Sequence, residues 1–248
     1  MIKKIQPVLI KLRKTKPLIL NLSNYVTMDF VANVLLALGA APIMTVCDEE
    51  LEELVKISNC ITINIGTLDA AFINRCHKTV TLAKQYRKPI VLDPVGSGAT
   101  LIRTHTAQTL IQQADIVKGN ASEILSLSDK DHQTKGVESV HSTLEARGIA
   151  MQLSQQYGFT TVVSGAIDFV TDGKEQAEIP YGSPLMSRVT GMGCALAAVI
   201  AAFRSVVDNS FESAALATQY YGLCGQAAEK LAQSPGAFRM TFIDELAT

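Results

Sequence analysis

The sequence predicts an α/β fold in which a mainly parallel central sheet carries helices on both faces. Three observations predict it. Short apolar runs alternate with longer helical patterns through the first two-thirds of the chain, as strand–helix–strand units do. The 248 residues are 48% apolar, enough for a substantial core, which sets disorder aside. Polar and glycine-rich segments directly follow several apolar runs, and parallel sheets bind ligands at the carboxyl ends of their strands.

The elements follow in order. Residues Leu18 to Leu22 read as a strand. Val26 to Leu38 reads as a helix, with Phe30, Val31, Val34, Leu35 and Leu38 on one face, and Gly39 ends it. Pro42 to Val46 is a second strand, and Asp48 is placed to cap a following helix rich in Glu and Leu. Cys60 to Ile65 is a strand, Asp69 to Tyr86 a long helix, and Pro89 to Leu92 a strand. Asp115 to Val117 is the next strand, with a short helix after Asn120. The polar segment Ser128 to Val137 has no periodicity and reads as a mobile surface loop. Ser139 to Tyr157 is helical, and Thr160 to Ser164 and Ile167 to Thr171 are strands around a Gly165 turn. Ala177 to Tyr181 is a candidate final strand. From Gly191 the chain is mostly helical, over Cys194 to Val207, Phe211 to Leu231 and a short helix near Phe242.

Composition narrows the function. The formal net charge is −1, so no basic surplus exists to grip a nucleic-acid backbone. The five cysteines lack the close paired spacing of a zinc or redox motif. Their odd number rules out complete internal pairing and points to a reduced, cytoplasmic setting. Lysines and arginines interrupt the N-terminal apolar residues, against a signal peptide. The most apolar stretch, Gly193 to Phe203, falls far short of the roughly 20 residues a membrane span needs. The four histidines, His77, His105, His132 and His141, lie outside the segments that carry chemistry and read as solvated.

Four segments carry candidate chemistry. Thr190-Gly191-Met192-Gly193-Cys194 precedes an Ala-rich helix. Glycines let backbone N–H groups approach a ligand, and the helix adds unpaired donors and the positive end of its dipole. The result is an anion hole or, on glycine spacing alone, a tight packing turn. No Gly-Lys-Ser/Thr follows, and the turn comes too late for a dinucleotide fingerprint. Asp93-Pro94-Val95-Gly96-Ser97-Gly98 follows a strand, so Asp93 is a candidate Mg²⁺ ligand and the glycines suit a loop that moves over substrate. A strand-ending Asp with a flexible loop fits equally. In Lys118-Gly119-Asn120-Ala121-Ser122-Glu123, Lys118 is placed to neutralise ATP phosphates and Glu123 to share the metal with Asp93. An ordinary helix cap explains Glu123 as well. Finally, Asn24 is a candidate to hydrogen-bond a polar substrate atom, and Met44 to fill an apolar pocket or simply the core.

The set, in this order, resembles the hydroxyethylthiazole kinase family. The resemblance rests on Asn24-Tyr25-Val26, Pro42-Ile43-Met44, Asp93-Pro94-Val95-Gly96, Lys118 to Ile124, Ser164-Gly165, Asp168 with Val170 to Gly173, Gly191 to Cys194 and Pro235 to Phe238. It spans nearly the whole chain. It implies one ribokinase-like kinase domain over residues 1–248. It further implies ATP- and Mg²⁺-dependent phosphorylation of 4-methyl-5-(2-hydroxyethyl)thiazole in thiamine salvage, by a cytoplasmic homotrimer with sites between subunits. On that pattern Met44, Gly191 and Asn24 lie at the thiazole, and Lys118, Ser164 and Asn120 at ATP. Asp93 and Glu123 lie at the metal, and Cys194, Gly193 and Gly191 at the reacting centre. Two positions depart from the commoner pattern: Lys118 stands where Arg is frequent, and Ser164 where Thr is. Both keep the chemistry, although Lys lacks the planar fork. Cys194 stands where related kinases use Asp as base. A thiol at a helix N-terminus has a lowered pKa and is a candidate base, or else it only shapes the pocket. The alternatives are a ribokinase-like kinase for another small alcohol and a nucleotide-binding module without catalysis.

Overall fold

The computed structural model describes residues 2–128 and 140–248. The expected mobile loop lies outside the described residues except for Ser128, and so does His132. The strands are β1 (Leu18–Leu22), β2 (Ala41–Met44), β3 (Cys60–Asn64), β4 (Ile90–Asp93), β5 (Ile116–Asn120), β6 (Thr160–Ser164), β7 (Asp168–Thr171) and β8 (Gln176–Ile179). They form one sheet in the order β2-β1-β3-β4-β5-β6-β7-β8. The pairings from β2 through β6 are parallel. β7 and β8 join antiparallel, as a meander at one edge.

The helices are α1 (Ile2–Thr15), α2 (Met28–Leu38), α3 (Leu51–Ile57), α4 (Ala70–Tyr86), α5 (Leu101–Leu110), α6 (Ala121–Leu125), α7 (Val140–Tyr157), α8 (Met192–Arg204), α9 (Ser210–Leu231) and α10 (Pro235–Ala247). Two core layers flank the sheet. Ile19, Cys60, Val91, Ile116 and Val162 face one way, into a core with residues of α1, α2, α8, α9 and α10. Their neighbours Leu20, Ile61, Leu92, Val117 and Val163 face the other way, into a core built with α3 to α7. Buried strands with this period of two need apolar residues at every position. Helix α8 is buried almost all round, and its run of alanines lets it lie close to the sheet.

Several local expectations change. α2 begins at Met28, two residues later than the apolar pattern suggests, because Asn24 to Thr27 form a turn in which Asn24 Oδ1 accepts from Val26 N at 2.9 Å. Asp48 does not cap α3, which starts after Glu50 with no side-chain cap. Its carboxylate instead accepts from Arg75 Nε at 2.7 Å. Strand β5 runs on through Asn120, so Lys118 lies inside it rather than after it. The last helix is 13 residues long, not short. α1 and α5 have no counterpart in the sequence reading. Charges interrupt α1 along its length, yet Ile5 and Leu12 are buried. α5 buries a weakly apolar face of Thr106, Ala107 and Leu110. Among the described residues no helix is long and apolar enough to cross a membrane.

Candidate functional site

The strand period selects which residues meet. On the face that packs against α8, the apolar residues give way to polar ones toward the carboxyl ends of the strands. Asn21 of β1, Thr62 and Asn64 of β3, Asp93 of β4 and Lys118 of β5 share the parity of Ile19, Cys60, Val91 and Ile116. All five are buried. Buried polar groups need partners, and these form a ladder. Thr62 Oγ1 donates to Asn21 Oδ1 at 2.6 Å. Asn64 Nδ2 donates to Asp93 Oδ2 at 2.7 Å, across a register pair. Lys118 Nζ lies 3.7 Å from Asp93 Oδ1.

The N-terminus of α8 closes over this ladder. Gly191 precedes the helix with φ +94°, a left-handed conformation that favours glycine. A Cβ there would also lie 3.0 Å from Phe30 Cδ1 and 3.2 Å from Thr27 Cγ2. Gly193 has an exposed backbone, and a Cβ there would lie 3.0 Å from Lys118 Nζ. Tyr221 Oη donates to Met192 O at 2.8 Å and ties the turn to α9. Cys194, next along, lies beside Asn64, Thr27 and Asp93. Three separate elements therefore bring Asp93, Lys118, Gly193 and Cys194 together.

Electrostatics at this point are dominated by burial. It pushes the Asp93 carboxyl up, to about 7, against the attraction of Lys118 and with help from the charge of Glu123. Burial alone would lower Lys118, but Asp93, Glu123, Cys194 and Asp168 outweigh it and the ammonium is held above its ordinary value. The expected lowering of the Cys194 thiol is overturned. Burial, then the negative charge of Asp93, pushes it up, and Lys118, Asn64 and Thr27 offset only part of that. The favourable helix terminus is outweighed because the thiol is largely removed from water beside a carboxylate.

The remaining candidates surround this centre. Asn120 pairs in register with Ser164, and Ser164 Oγ donates to Gly119 O at 3.3 Å. Beside them Asp168 Oδ1 accepts from Gly165 N at 2.9 Å. Asn120 and Glu123 form a reciprocal capping box at the start of α6. Glu123 Oε2 accepts from Asn120 N at 2.8 Å and Oε1 from Gly96 N at 2.9 Å. Each oxygen of Glu123 thus already holds a backbone donor, so it faces a cation less freely than Asp93 does. Asn24 Oδ1 is committed to its own turn, and its Nδ2 lies where a Cβ at Gly66 would come within 2.1 Å. Met44 ends β2, half-buried and in register with Asn21. It reaches the same edge of the sheet and packs against the core formed with α2 and α8.

The loop after β4 is tied down rather than free to swing, against the expectation from its glycines. Arg103 donates from Nη1 to Val95 O at 2.9 Å and to Ile65 O at 3.1 Å, and from Nη2 to Gly66 O at 3.0 Å. Gly98 N donates to Thr104 Oγ1 at 2.8 Å and Ser126 Oγ to Ser97 Oγ at 2.7 Å. The sequence reading missed Arg103, Asn64 and Tyr221. For Asn64 a signal existed: a polar residue at the carboxyl end of an otherwise apolar strand, on the parity of Asp93 in the next strand.

Asp93 Oδ1 is buried and has no hydrogen-bond partner. An oxygen left in that state suits a hard cation. Among the described residues no three His, Cys, Asp or Glu side chains cluster as a metal cage. Another cavity, of about 310 Å³, opens at the N-terminal ends of β4 and β5, lined by Lys84, Arg87, Lys88, Asp115 and Arg204. Lys84 and Arg204 occupy the last turns of α4 and α8, where cations offset the negative helix ends.

Comparison with known proteins agrees with the geometry. The chain is 50% identical to the hydroxyethylthiazole kinase of Chlamydia abortus over 248 residues, which is 99% of this chain and 95% of that one. It is 42% identical to the hydroxyethylthiazole kinase of Pyrococcus furiosus over 240 residues, 96% of this chain and 90% of that one. A hydroxyethylthiazole kinase structure from Pyrococcus horikoshii superposes with a TM-score of 0.91 at 36% identity, covering 99% of this chain and 93% of that one. A ribokinase-like superfamily protein from Enterococcus faecalis, with a TM-score of 0.62 at 16% identity over 92% and 86% of the two chains, shares the fold alone. Residues 9–248 match the model of the hydroxyethylthiazole kinase family, and the chain belongs to that family.

Proposed function

We propose that the protein transfers the γ-phosphoryl group of ATP to the hydroxyl of 4-methyl-5-(2-hydroxyethyl)thiazole at the start of α8, giving the thiazole phosphate used in thiamine salvage. Family membership supports the substrate. The observation that carries the chemistry is the meeting of Asp93, Lys118 and the exposed backbone of Gly193 beside Cys194. Phosphoryl transfer asks mainly for positioning and for donors aimed at spreading negative charge.

In this reading the N–H groups at the start of α8 and the Lys118 ammonium hold the transferring phosphoryl oxygens. Asn120 and Ser164 line the nucleotide side, and Asn24, Met44 and Gly191 the thiazole side. Asp93, through its unpartnered Oδ1, would hold Mg²⁺, with Glu123 acting from further out because both its oxygens accept backbone N–H groups. Bound there, Mg²⁺ neutralises charge on the ATP phosphates. Cys194 starts as a half-buried, protonated thiol beside Asp93. A protonated thiol cannot itself take the hydroxyl proton. Because that proton leaves late in a loose transition state, it passes to an oxygen of the transferred phosphoryl group, with Cys194 shaping the pocket beside it.

The reading includes a single domain over residues 1–248, a cytoplasmic setting and a homotrimer with sites between subunits. Exposed apolar residues support the assembly. Tyr25, Val26 and Val46 are 53%, 69% and 56% exposed, directly beside Asn24 and Met44, and Leu36 on α2 is 59% exposed. Water-facing residues of this kind next to a substrate subsite suit cover by a second copy.

The test is to incubate the purified protein with ATP, Mg²⁺ and hydroxyethylthiazole and to detect thiazole phosphate by mass spectrometry. Turnover of that alcohol well above pyridoxal or a hydroxymethylpyrimidine is expected. A folded sample that phosphorylates one of those and not the thiazole would move the function to the alternative alcohol kinase.

A further inference from the structure

We infer that Asn64 is a positioning residue for phosphoryl transfer, orienting Asp93 and Cys194 with one side-chain amide. This rests on the roles proposed above for those two residues. Asn64 is 6% exposed and ends β3. Its Oδ1 accepts from Gly66 N at 3.0 Å. That contact fixes which way the amide faces, because an N–H can be met only by the oxygen. The NH₂ group is thereby turned toward the catalytic side. It donates to Asp93 Oδ2 at 2.7 Å and lies beside the Cys194 thiol.

The geometry has a consequence for Asp93. With Oδ2 held by Asn64, the carboxylate presents Oδ1, the buried atom without a hydrogen-bond partner, toward Lys118 and the nucleotide side. Lys118, 3.7 Å away, is a point charge and sets no carboxylate plane. An amide donor at hydrogen-bond distance does. Asn64 also connects to the substrate side. The turn it holds leaves no room at Gly66, where a Cβ would lie 2.1 Å from Asn24 Nδ2. A shift at Asn64 therefore reaches the carboxylate, the thiol and the Asn24 turn together. Residues that orient a cation's ligand without touching it typically change metal affinity or activity by about 10–100-fold when lost.

The test uses two variants of the full chain. Asn64→Asp keeps the Oδ1 acceptor for Gly66 and loses both N–H donors. Asn64→Ser shortens the side chain and supplies one donor that cannot reach both partners. For Asn64→Asp, kcat is expected to fall about 10–100-fold, with KM for the thiazole within about twofold of the parent. The Mg²⁺ concentration that half-saturates ADP binding, followed by calorimetry, is expected to rise several-fold. The calorimetric arm needs no turnover, so it tests Asn64 even if the parent fails on hydroxyethylthiazole, which would count against the proposed substrate alone. Mg²⁺ dependence and kcat both within about twofold of the parent would overturn the inference. So would a loss of kcat that tracks lowered thermal stability with unchanged Mg²⁺ dependence, since that is the behaviour of a packing asparagine. If Asn64→Asp does not fold, the same readouts on Asn64→Ser decide.

Discussion

Cys194 illustrates how a local rule is outweighed at the scale of one residue. A helix N-terminus favours a thiolate, but its effect is modest beside the cost of removing an anion from water next to a carboxylate. The same burial acts more fully on Cys60, Cys76 and Cys224, whose thiols it pushes up to about 12. Brief alkylation of the native protein with iodoacetamide at pH 8 is therefore expected to modify exposed Cys47 first. Cys194 should follow slowly and the three buried thiols not at all, as read by peptide mass mapping. Rapid, selective labelling of Cys194 would show that the helix terminus wins after all. Asp168 gives a second prediction at this scale. Burial raises its carboxyl from 3.8 to about 6, with Gly165 N–H and Lys118 offsetting part of the shift. Because the folded pKa is the higher one, the folded state binds the extra proton between those values. The ionised form thus costs stability, with the cost growing as pH rises from 4 to 6 and constant above. Asp168→Asn retains an oxygen for Gly165 N. It should stabilise the protein by on the order of 1 kcal/mol at pH 7.5, with the gain fading toward pH 4, in urea melts across pH.

At the scale of elements, the start of α8 separates two glycines with different duties. Gly191 sits at φ +94° against Phe30 and Thr27, so Gly191→Ala should lower stability by about 1–2 kcal/mol as well as activity. Gly193 has no such constraint on its φ and lies inside the helix. Alanine there gains helix propensity but places a methyl 3.0 Å from Lys118 Nζ. Gly193→Ala is expected to leave the denaturation midpoint unchanged or raised and to cut kcat by about tenfold or more, because the methyl keeps phosphate from the N–H groups and displaces the Lys118 ammonium. Equal losses in both quantities would make Gly193 a packing glycine. The loop after β4 teaches the converse lesson. Its glycines suggested motion, but Arg103 of α5 ties its Val95 carbonyl to those of Ile65 and Gly66 after β3.

At the scale of the whole molecule, edge strand β2 is half-buried at every position, and Val26, Leu36 and Val46 stay exposed nearby. A homotrimer that covers them is expected in sedimentation of the parent protein. Val26→Asp should dissociate it and lower turnover without changing helix content by circular dichroism. A parent that sediments as a monomer at micromolar concentration and is fully active would remove the assembly from the mechanism. The core explains why so much of the fold was legible. Strands β1, β3, β4, β5 and β6 are buried on both faces, so each is a short apolar run between polar loops, a pattern that survives without knowledge of partners. α1 and α5 were not legible, because each buries only a narrow face and their charges and threonines mask its period. The candidate residues Asp93, Lys118, Gly191, Gly193 and Cys194, which the structure brings together, could be picked out because chemistry restricts which residue types can follow a strand or open a helix.

By itself, the sequence determined the α/β class, the succession of its buried strands and the set of polar residues at their carboxyl ends, since all of these follow from periodicity and residue chemistry within a few positions. The tertiary structure alone decided how that set is wired. It put the Asn64 amide on Asp93, tied Glu123 to Gly96 N, pinned the β4 loop to the segment after β3 with Arg103 and set the Cys194 thiol, a candidate base from its place at a helix N-terminus, half-buried beside a carboxylate that pushes its pKa up. Each of these depends on burial and on contacts between residues far apart in the chain, and desolvation, which no local pattern encodes, sets their strength.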